Sequence, residues 1–319
     1  MRRLVLALPA AITAALVTAA VAAASNGLSP VTPESSNARA IRTTYFVILG
    51  VSGAIFLLVE TALVAFIWRF RSRGRGRDQE APQIHGATRL ETSFTVVPVL
   101  ILAGIVAFVF VKLPKIKDVP PATAAGGALN IRVEGHQYYW LFGYPGGQVS
   151  VQHMVVPVHR VVTLDVVTPD VAHSWWVPAL GGKIDAIPGR TNHTWFRAEK
   201  TGTYVARCAE LCGFEHAHMI GYVDVVSQAQ YQAFLSAHTG TSQALGKEIF
   251  DGVCSPCHGM KGQGDYGPKI AGSAVVADPQ ALEDLLRQGK NKMPAVGKTW
   301  NDETMRSATT YLKRRLGGG

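Results

Sequence analysis

The chain has 319 residues, which is room for two soluble domains and some membrane segments, because a typical domain takes roughly 100 to 200 residues. The formal net charge of +9 at pH 7 would suggest nucleic acid as a partner if it were spread over one soluble face. Much of it is instead local, in a run of arginines beside an apolar segment, which indicates a cytoplasmic membrane flank and argues against nucleic-acid binding: Arg69, Arg71, Arg73, Arg75 and Arg77.

Residues 1–24 are predicted to be a secretory signal peptide. Arg2 and Arg3 precede an apolar stretch of Ala, Leu and Val, and small residues with an A-x-A pattern follow around Ala22 to Ala24. A retained third membrane helix is the alternative, which the Ala-rich composition and the cleavable pattern disfavour. Export would place an N-terminal segment over 25–43 outside the cytoplasm.

Two apolar stretches predict a transmembrane helical hairpin over residues 44–113. Thr44 to Trp68 carries a single charge and is long enough to cross a hydrocarbon core of about 30 Å at about 1.5 Å per residue. A second span runs from Phe94 to Leu113. Because the arginine-rich loop lies between the spans, we expect the turn in the cytoplasm, and both termini and the later domains outside it.

Two carboxylates lie in or beside these spans. Glu60 lies roughly 12 Å from the cytoplasmic end of the first span, where an ionised carboxylate is costly. We expect it to face a partner chain, and a neutral hydrogen-bonded carboxyl is favoured over a proton-linked role. Thr88 and Glu91 form a T-x-x-E pattern, which predicts a capping box at the start of the second helix.

The chain then changes composition twice. Residues 114–127 are rich in Pro, Ala and Gly and predict a linker. From 128 to 227, short β-branched or aromatic runs such as 161–167 and 203–206 alternate with Pro and Gly turns, which is typical of an all-β sandwich or barrel.

A cluster of potential metal ligands lies late in the predicted sandwich, from Cys208 to Met219. It contains two thiols, Cys208 and Cys212, together with the His216 imidazole and the Met219 thioether, between two predicted strands. Soft sulfur ligands with an imidazole favour an electron-transfer copper site. A second imidazole is expected from His173, which lies on an earlier loop.

Two other readings of these cysteines stay open. A zinc clip could use Cys208, Cys212, His216 and one further ligand, because the spacing is compatible with zinc. A disulfide between the two cysteines is possible in an oxidising compartment. Met219 favours copper, because neither zinc nor a disulfide uses a thioether.

Residues 228–243 predict a polar, partly helical connector, and residues 244–319 predict a small α-helical domain with acidic helix starts and basic ends. Within it, Cys254-Ser-Pro-Cys257-His258 is the attachment motif for c-type haem, with the histidine as an axial ligand. A thioredoxin-like C-x-x-C site is the alternative, but no βαβ pattern surrounds it.

The sixth haem ligand is predicted to be Met293, a few tens of residues downstream, because a Met/His pair is a common axial pair in cytochromes c. Met260 is too close to His258 to reach the opposite haem face, and Met305 lies in a predicted helix. The chain has four cysteines, so two for copper and two for haem leave none for a disulfide.

Three motifs, in this order, resemble the CuA domain of cytochrome oxidase subunit II: His173-Ser-Trp, Asp185-Ala-Ile-Pro-Gly-Arg190 and the segment from Cys208 to Met219. Residues 244–316 resemble a class I cytochrome c. Together the chain resembles subunit II of a caa-type haem-copper oxidase. The resemblance implies a membrane hairpin, a cupredoxin-like sandwich and a haem c domain.

The resemblance also implies a ligand set for binuclear copper. Cys208 and Cys212 would bridge both ions, His173 and His216 would be terminal ligands, and Met219 and the Glu210 carbonyl would complete the set. The Glu210 side chain would reach toward a magnesium ion at the interface with the catalytic subunit. Asp185 and Arg190 would lie near that interface or serve as ordinary turn residues.

Two further segments resemble the family. In Gly135-His-Gln-Tyr-Tyr-Trp140, Tyr138 stands where the family usually has the surface tryptophan that receives electrons, and Trp140 matches the second tryptophan. Aromatic residues on a strand also serve sandwich packing. The segment from Leu90 to Pro98 resembles the one whose glutamate, here Glu91, lies at the mouth of a proton channel, a role compatible with helix capping.

The predicted function is therefore that of an electron-accepting oxidase subunit. Electrons would pass from haem c to copper and on to subunit I, which reduces oxygen with proton pumping. Expected partners are subunits I and III, with cytochrome c or a quinol-cytochrome c reductase as donor, in a bacterial cell membrane. The alternatives are a subunit of a nitric oxide reductase and a membrane-anchored copper-binding protein. Glu60 and Glu91 argue against the latter, and the thiol pair argues against a quinol oxidase subunit.

Overall fold

A computed structural model describes residues 30–71, 83, 85–121 and 127–317. The predicted signal peptide, most of the arginine-rich loop and the middle of the predicted linker lie outside the described residues. The described chain forms two compact units, one comprising residues 30–31 and 40–116 and the other comprising residues 32–39 together with the chain from Lys117 onward.

The first unit consists of two long helices, α1 (Ser36–Phe70, whose first residues belong to the second unit) and α2 (Thr88–Lys117). Both are long and apolar enough to cross a membrane, and the most apolar window of each is entirely unburied. An apolar surface of this kind is expected of helices that face lipid or partner helices. The two predicted apolar helices are confirmed, and each is longer than its predicted span.

Helix α2 does not end at Pro114, where the sequence predicted that the linker begins. It runs on to Lys117 with Pro98 and Pro114 inside it, so the expected start of the linker was wrong by about one turn. A proline this close to a helix end removes only one backbone hydrogen bond, and the loss is small enough for the last turn to form.

The predicted all-β domain is confirmed as a sandwich of ten strands. They are β1 (Leu129–His136), β2 (Tyr139–Gly143), β3 (Val149–Val151), β4 (His153–Pro157), β5 (Val162–Val167), β6 (His173–Trp176), β7 (Ile184–Ala186), β8 (Asn192–Phe196), β9 (Gly202–Cys208) and β10 (Ile220–Val226).

The strands form two five-stranded sheets, in the orders β3-β2-β1-β5-β8 and β4-β10-β9-β6-β7. The pairs β1–β5 and β4–β10 are parallel, and the other neighbours are antiparallel. Alternate side chains from both sheets fill the space between them, and Trp175 makes edge contacts with both Trp140 and Phe142. This packing fixes the strand ends from which the predicted metal-binding loops extend.

The start of α1 and the last residue of α2, which belong to the second unit, are tied to the sandwich. Ser35 Oγ, just before α1, donates to the Leu180 carbonyl at 2.6 Å, and Asn37 Nδ2 donates to the Trp195 carbonyl at 2.7 Å. The Trp195 indole in turn donates to the carbonyl of Lys117, the last residue of α2, at 3.1 Å. The chain therefore enters α1 and leaves α2 at the same sandwich domain.

The C-terminal part is helical, as predicted. Its helices are α3 (Gln228–Ala237), α4 (Gln243–Ile249), α5 (Ser255–His258), α6 (Ala274–Ala277), α7 (Pro279–Gln288) and α8 (Asp302–Leu316), and a π-helical turn over Phe250–Cys254 joins α4 to α5. Capping explains several boundaries, because Ser227, Asp278 and Asn301 each accept a backbone N–H of the following helix.

Strand β2 is buried on both faces, because the helical domain covers the face that points away from the sandwich core. Trp140 and Phe142 point into the sandwich core, while Tyr139 and Leu141 belong to the core of the helical domain. Tyr139 Oη donates to the Val296 carbonyl at 2.5 Å and accepts from the Trp300 indole at 3.0 Å. Strand β2 thus contributes side chains to the apolar cores of both domains.

Candidate metal centres

Three of the predicted copper ligands lie at the ends of paired strands in the sandwich. Cys208 is the last residue of β9, Met219 immediately precedes β10, and His173 is the first residue of β6. Strands β6 and β9 are neighbours, and Trp175 pairs directly with Cys208. Strand pairing therefore brings His173 beside the Cys208 loop, although 35 residues separate them along the chain.

The structure brings together all six groups predicted as copper ligands: the two cysteine sulfurs lie 3.8 Å apart, and the other four groups surround them. Cys208 Sγ lies 3.9 Å from His173 Nδ1 and 3.2 Å from the Glu210 carbonyl. Cys212 Sγ lies 3.6 Å from His216 Nδ1 and 3.8 Å from Met219 Sδ. Within the described residues, the ligand atoms of His173, Cys208 and Cys212 lie within 4.8 Å of one another. Both thiols are free.

His173 is oriented by contacts on its far side. Its Nε2 lies 2.8 Å from Asp170 Oδ1, so Nδ1 faces the sulfur pair. Gly135 lies against the imidazole, and a Cβ there would come within 3.0 Å of the ring. Although burial opposes ionisation, hydrogen bonds from His173 and neighbouring groups lower the pKa of Asp170 to about 2. The aspartate is thus a fixed anion that holds the ring, as outer partners of metal-binding histidines commonly do.

The turn between β1 and β2 holds the cysteine loop in place. The Gln137 N–H donates to Asp170 Oδ2 at 2.8 Å, and Gln137 Nε2 donates to the Cys212 carbonyl at 2.7 Å. Tyr138 Oη accepts the Phe214 N–H at 3.1 Å. Gly213 has φ of +132°, and a Cβ there would lie 2.6 Å from Tyr138 Oη, so only glycine permits this approach.

The pKa values of the two sandwich cysteines are shifted in opposite directions. Burial raises the pKa of both thiols, but hydrogen bonds from His173 and from backbone groups at Ser174 and Glu210 outweigh burial at Cys208 and lower its pKa. At Cys212, burial and the nearby Cys208 charge both raise the pKa. Cys208 is therefore the more acidic of the two thiols, and the thiolate is the form that binds a soft metal ion.

The aromatic residues predicted to receive electrons lie in two different environments. Tyr138 is partly exposed beside the cysteine loop. Trp140 is fully buried, with its ring centroid 6.0 Å from that of His173. Both residues thus lie close to the candidate copper centre, and their role in electron transfer stays a prediction.

The haem-attachment motif lies on the short helix α5 and the turn before it. Cys254 is buried, and Cys257 is half-buried. Burial raises the pKa of Cys254 to about 12, and burial followed by the charges of Glu215 and Asp265 raises that of Cys257, so both stay protonated thiols. His258 Nδ1 lies 2.6 Å from the Pro268 carbonyl. Donation through Nδ1–H leaves Nε2 available to a metal.

The three candidate methionines of the helical domain have distinct environments. Met293 is half-buried at the edge of the domain core, in a tight turn where it exchanges backbone hydrogen bonds with Lys290. Met305 lies in α8, is only 1% exposed and packs in the core of the helical domain, whereas Met260 is 62% exposed. The assignment of Met293 as the sixth haem ligand stays a prediction.

The carboxylates of the membrane unit are both exposed among the described residues. Glu91 Oε1 accepts the Ala87 N–H at 3.0 Å, immediately before α2 begins at Thr88. The carboxylate therefore satisfies an amide at the helix start, as the capping interpretation expects, although its partner is Ala87 rather than Thr88. Glu60 lies in the middle of α1.

Sequence reasoning did not identify four residues that shape the copper site, namely Gly135, Gln137, Asp170 and Gly213. Asp170 lies three residues before His173, a short spacing that could have suggested a partner for the imidazole. Gly213 directly follows Cys212, and a glycine inside a ligand loop is a signal for close backbone approach. Gln137 and Gly135 carry no such signal, because their partners are distant along the chain.

Comparisons with known proteins match all three parts of the chain. Residues 30–112 match the family described as the transmembrane domain of cytochrome c oxidase subunit II, and residues 147–226 match its periplasmic domain. Residues 241–312 match the family described as cytochrome c oxidase, cbb3-type, subunit III.

Individual relatives are similar to the chain over much of its length. The chain is 31% identical to cytochrome c oxidase subunit 2 of Alkalihalophilus pseudofirmus over 315 residues, which cover 90% of each protein. It is 32% identical to that of Cereibacter sphaeroides over 62% of this chain and 76% of the relative. The crystal structure of the periplasmic domain of subunit II of cytochrome oxidase of Bradyrhizobium japonicum is 38% identical, covering 38% of this chain and 96% of that one, with a TM-score of 0.34.

Proposed function

The chain belongs to the cytochrome c oxidase subunit 2 family, and on that premise we propose that its sandwich and its helical domain form one electron relay with the ligands named below. As a subunit 2, it is the electron-accepting subunit of a haem-copper oxidase, an oxidoreductase complex whose oxygen-reducing site lies in a partner chain. The family implies copper in the sandwich and haem c in the helical domain.

The copper ligands are proposed to be the six groups that converge on the sulfur pair: His173, Cys208, the Glu210 carbonyl, Cys212, His216 and Met219. The single observation that carries this proposal is the 3.8 Å separation of two free thiols, each with an imidazole nitrogen within 3.9 Å. Bound copper supplies one-electron oxidation and reduction. The protein's part is to hold both sulfurs, both rings and the thioether on rigid strand ends, so that the ligands move little during electron transfer.

The composition of this ligand set favours copper over the two alternatives. The Met219 thioether lies 3.8 Å from Cys212 Sγ and is 1% exposed, so it faces the sulfur pair rather than solvent. Thioether sulfur is a soft ligand suited to copper, whereas structural zinc takes Cys, His and carboxylate ligands. A disulfide would remove both thiolates from the site.

The haem ligands are proposed to be Cys254 and Cys257 through thioether bonds, with His258 and Met293 as axial ligands. The residues fit this role: the two thiols are free, and the hydrogen bond to the Pro268 carbonyl leaves His258 Nε2 available. Covalent haem supplies one-electron redox chemistry at a potential that a Met/His pair raises. The helical domain would hold His258 Nε2 and the Met293 sulfur in place, and its apolar core would exclude water.

Several finer assignments belong to the same proposal. The electron donor is proposed to be a cytochrome c or a quinol-cytochrome c reductase, with Tyr138 and Trp140 as the residues nearest to where electrons reach the copper. The Glu210 carboxylate, which is exposed, is proposed to reach a magnesium ion at the subunit I interface. Glu91 is proposed to lie at a proton path as well as capping α2.

The proposed location is the bacterial cell membrane, with the sandwich and the helical domain outside the cytoplasm. Two membrane-spanning helices followed by a periplasmic domain are the family's arrangement. The hydrogen bonds that tie Ser35 and Lys117 to the sandwich support both of these residues lying on the side of the membrane that holds the metal domains. The arginine-rich loop between the helices supports the opposite, cytoplasmic side for the turn.

The experiment that tests the proposed function is a metal and haem analysis of the full chain, produced with copper and with the machinery for covalent haem attachment and purified in detergent. We expect two coppers and one covalent haem per chain, and a spin-resonance spectrum of one unpaired electron shared by two coppers. Zinc in place of copper, or a single isolated copper, would contradict the proposal.

A further inference from the structure

We propose that Phe214 and Tyr266 are positioning residues for electron transfer. Phe214 lies in the copper loop (residues 209–219), and Tyr266 lies in the haem-attachment loop (residues 259–273, after the attachment motif). Their stacked rings hold these two loops together. This inference rests on the proposed function, since it assumes that the two loops carry the two redox centres. It goes beyond that function by naming a contact that sets the relation between the centres and that touches no ligand directly.

The two rings form a contact between domains. Phe214 lies in the copper loop, Tyr266 lies in the loop after the haem-attachment motif, and their ring centroids are 5.1 Å apart at an interplanar angle of 19°. Phe214 is 73% exposed and Tyr266 is 55% exposed, so neither ring belongs to a core. Large exposed aromatic residues are unfavourable in water, and their pairing across two domains indicates a role in the contact itself.

In the copper loop, the turn between β1 and β2 fixes the backbone of Phe214, and the same turn fixes Cys212. The Phe214 N–H is held by Tyr138 Oη at 3.1 Å, and the Cys212 carbonyl is held by Gln137 Nε2 at 2.7 Å. A displacement of the Phe214 ring therefore acts on a loop segment only two residues from a copper ligand.

On the haem side, Tyr266 lies in a loop that is tied back to the attachment motif. The Gly267 N–H donates to the Cys257 carbonyl at 2.6 Å, and the Gly264 N–H donates to the His258 carbonyl at 2.8 Å. His258 Nδ1 bonds the Pro268 carbonyl two residues after Tyr266. Tyr266 is thus flanked on both sides by backbone bonds to the residues that would hold the haem.

The docking of the two domains does not depend on this stack. Tyr139, Val296 and Trp300 form the buried interface, and the Glu248 carboxylate of α4 accepts the Val151 N–H of β3 at 3.0 Å. The stack lies outside this interface, at the two functional loops. Removing one ring should therefore loosen the loops relative to each other without separating the domains.

The electron balance of the relay is simple. In each transfer the helical domain loses one electron and the sandwich gains one, and no bond is made or broken in this chain. The proposed oxidase activity supplies the electron and removes it through the partner chain. What the protein contributes is a fixed arrangement of donor and acceptor loops, in which small displacements carry large rate penalties.

The test uses the full chain, loaded with copper and haem and purified in detergent without partner chains. After light-triggered reduction of the haem, its reoxidation and the reduction of copper are followed by absorbance. We expect Tyr266→Ala to slow this intrachain transfer about tenfold or more, with copper and haem spectra unchanged. Tyr266→Phe, which keeps the ring, should restore the wild-type rate.

A second set of variants tests whether the two rings act through one contact. Phe214→Ala should slow the transfer as Tyr266→Ala does, and the double variant should be no slower than the slower single variant, because the contact can be lost only once. The matched control is Leu211→Ala, which truncates another exposed apolar residue of the copper loop, 78% exposed and outside the stack. We expect it to transfer at the wild-type rate.

Hydrogen exchange on the metal-free chain gives a readout that does not require redox centres. Tyr266→Ala should speed exchange of backbone amides over 213–216 and 264–267 and leave those of β2 unchanged. A wild-type transfer rate in Tyr266→Ala overturns the inference, whatever its exchange pattern, as does an equal loss in Leu211→Ala. If the wild-type chain itself shows no transfer from haem to copper, the proposed function fails instead.

Discussion

The copper centre and the haem-attachment site differ in how much of the chain each one requires. The proposed copper ligands and their supports come from the turn at Gln137, the loop at Asp170 to His173 and the segment from Cys208 to Met219. The haem motif instead places both thiols and the histidine within five consecutive residues, from Cys254 to His258. One site is assembled by strand pairing, and the other by a single helical turn.

This difference determines which substitutions should disturb each site. A local motif keeps its geometry as long as its own turn forms, because the hydrogen bonds that set it are short-range. A site assembled from separate loops depends on every contact that fixes one loop to another. We therefore expect distant substitutions to disturb copper binding and to leave haem attachment intact.

The largest expected effect comes from removing a bridging sulfur. Cys208→Ser should abolish binuclear copper binding, and with it oxygen consumption by the assembled oxidase, because one alcohol oxygen is a poor soft-metal ligand. Copper content and spin-resonance spectra of the purified chain measure the loss. The covalent haem spectrum should not change.

The reciprocal variant, Cys257→Ser, sharpens the comparison between the two sites. It should impair haem attachment and leave two coppers per chain, because no copper ligand depends on the attachment turn. Loss of haem in Cys208→Ser, or loss of copper in Cys257→Ser, would show that the two sites are not independent.

The next largest effect is expected at the interface that joins the two domains. Tyr139 is 1% exposed and belongs to the apolar core of the helical domain, so Tyr139→Ala should lower the free energy of unfolding by about 3–5 kcal/mol. Tyr139→Phe removes only the hydroxyl that bonds Val296 and Trp300 and should cost about 1–3 kcal/mol. Chemical denaturation of the full chain measures both.

The control for Tyr139 is Tyr222→Ala, a half-buried tyrosine that stacks on His153 within the sandwich. It should destabilise the chain less than Tyr139→Ala. Equal losses at the two tyrosines would contradict the claim that β2 is a shared core strand.

A smaller effect is expected from the aspartate that orients His173. Asp170→Asn weakens the hydrogen bond to His173 Nε2 and should lower copper affinity about 10- to 100-fold. Competition with a copper chelator measures the affinity. Asp165→Asn is the matched control, because Asp165 pairs with the exposed His193 away from both sites. A comparable loss in the control would contradict a specific role for Asp170.

The smallest effect concerns pH and the ion pair between His238, in the connector, and Glu248, in the helical domain. We call this pair the clamp. Burial opposes protonation of His238, but the ion pair with Glu248, at 2.9 Å, and the Phe234 carbonyl raise its pKa above the ordinary value. The stabilisation is therefore fully present below about pH 6.5 and is lost as the pH rises through the raised pKa.

The measurement is the free energy of unfolding of the wild type and of His238→Gln as a function of pH. The two should differ by on the order of 1 kcal/mol at low pH and converge as the pH rises. The control is His193→Gln, which removes an exposed histidine paired with Asp165 rather than with Glu248. A constant difference between wild type and His238→Gln at all pH values would contradict the clamp.

Much of this protein follows from its sequence alone, because the relevant signals are local. The haem motif is contiguous, the soft ligands from Cys208 to Met219 lie within one loop, and the two apolar stretches are long enough to be helices whatever surrounds them. Alternating β-branched residues likewise predicted strands such as β5 and β10, since side chains alternate between the two faces of any strand.

The tertiary structure alone decided what each local element contacts. Strand β2 is a run of aromatic residues, but the sequence could not say that Tyr139 packs under Val296, which lies 157 residues further along the chain. Asp170, Gln137 and Gly213 support the copper loop only because strand pairing brings distant turns together. Periodicity in the sequence specifies which residues share a face, whereas the partner of that face depends on long-range packing that leaves no local pattern.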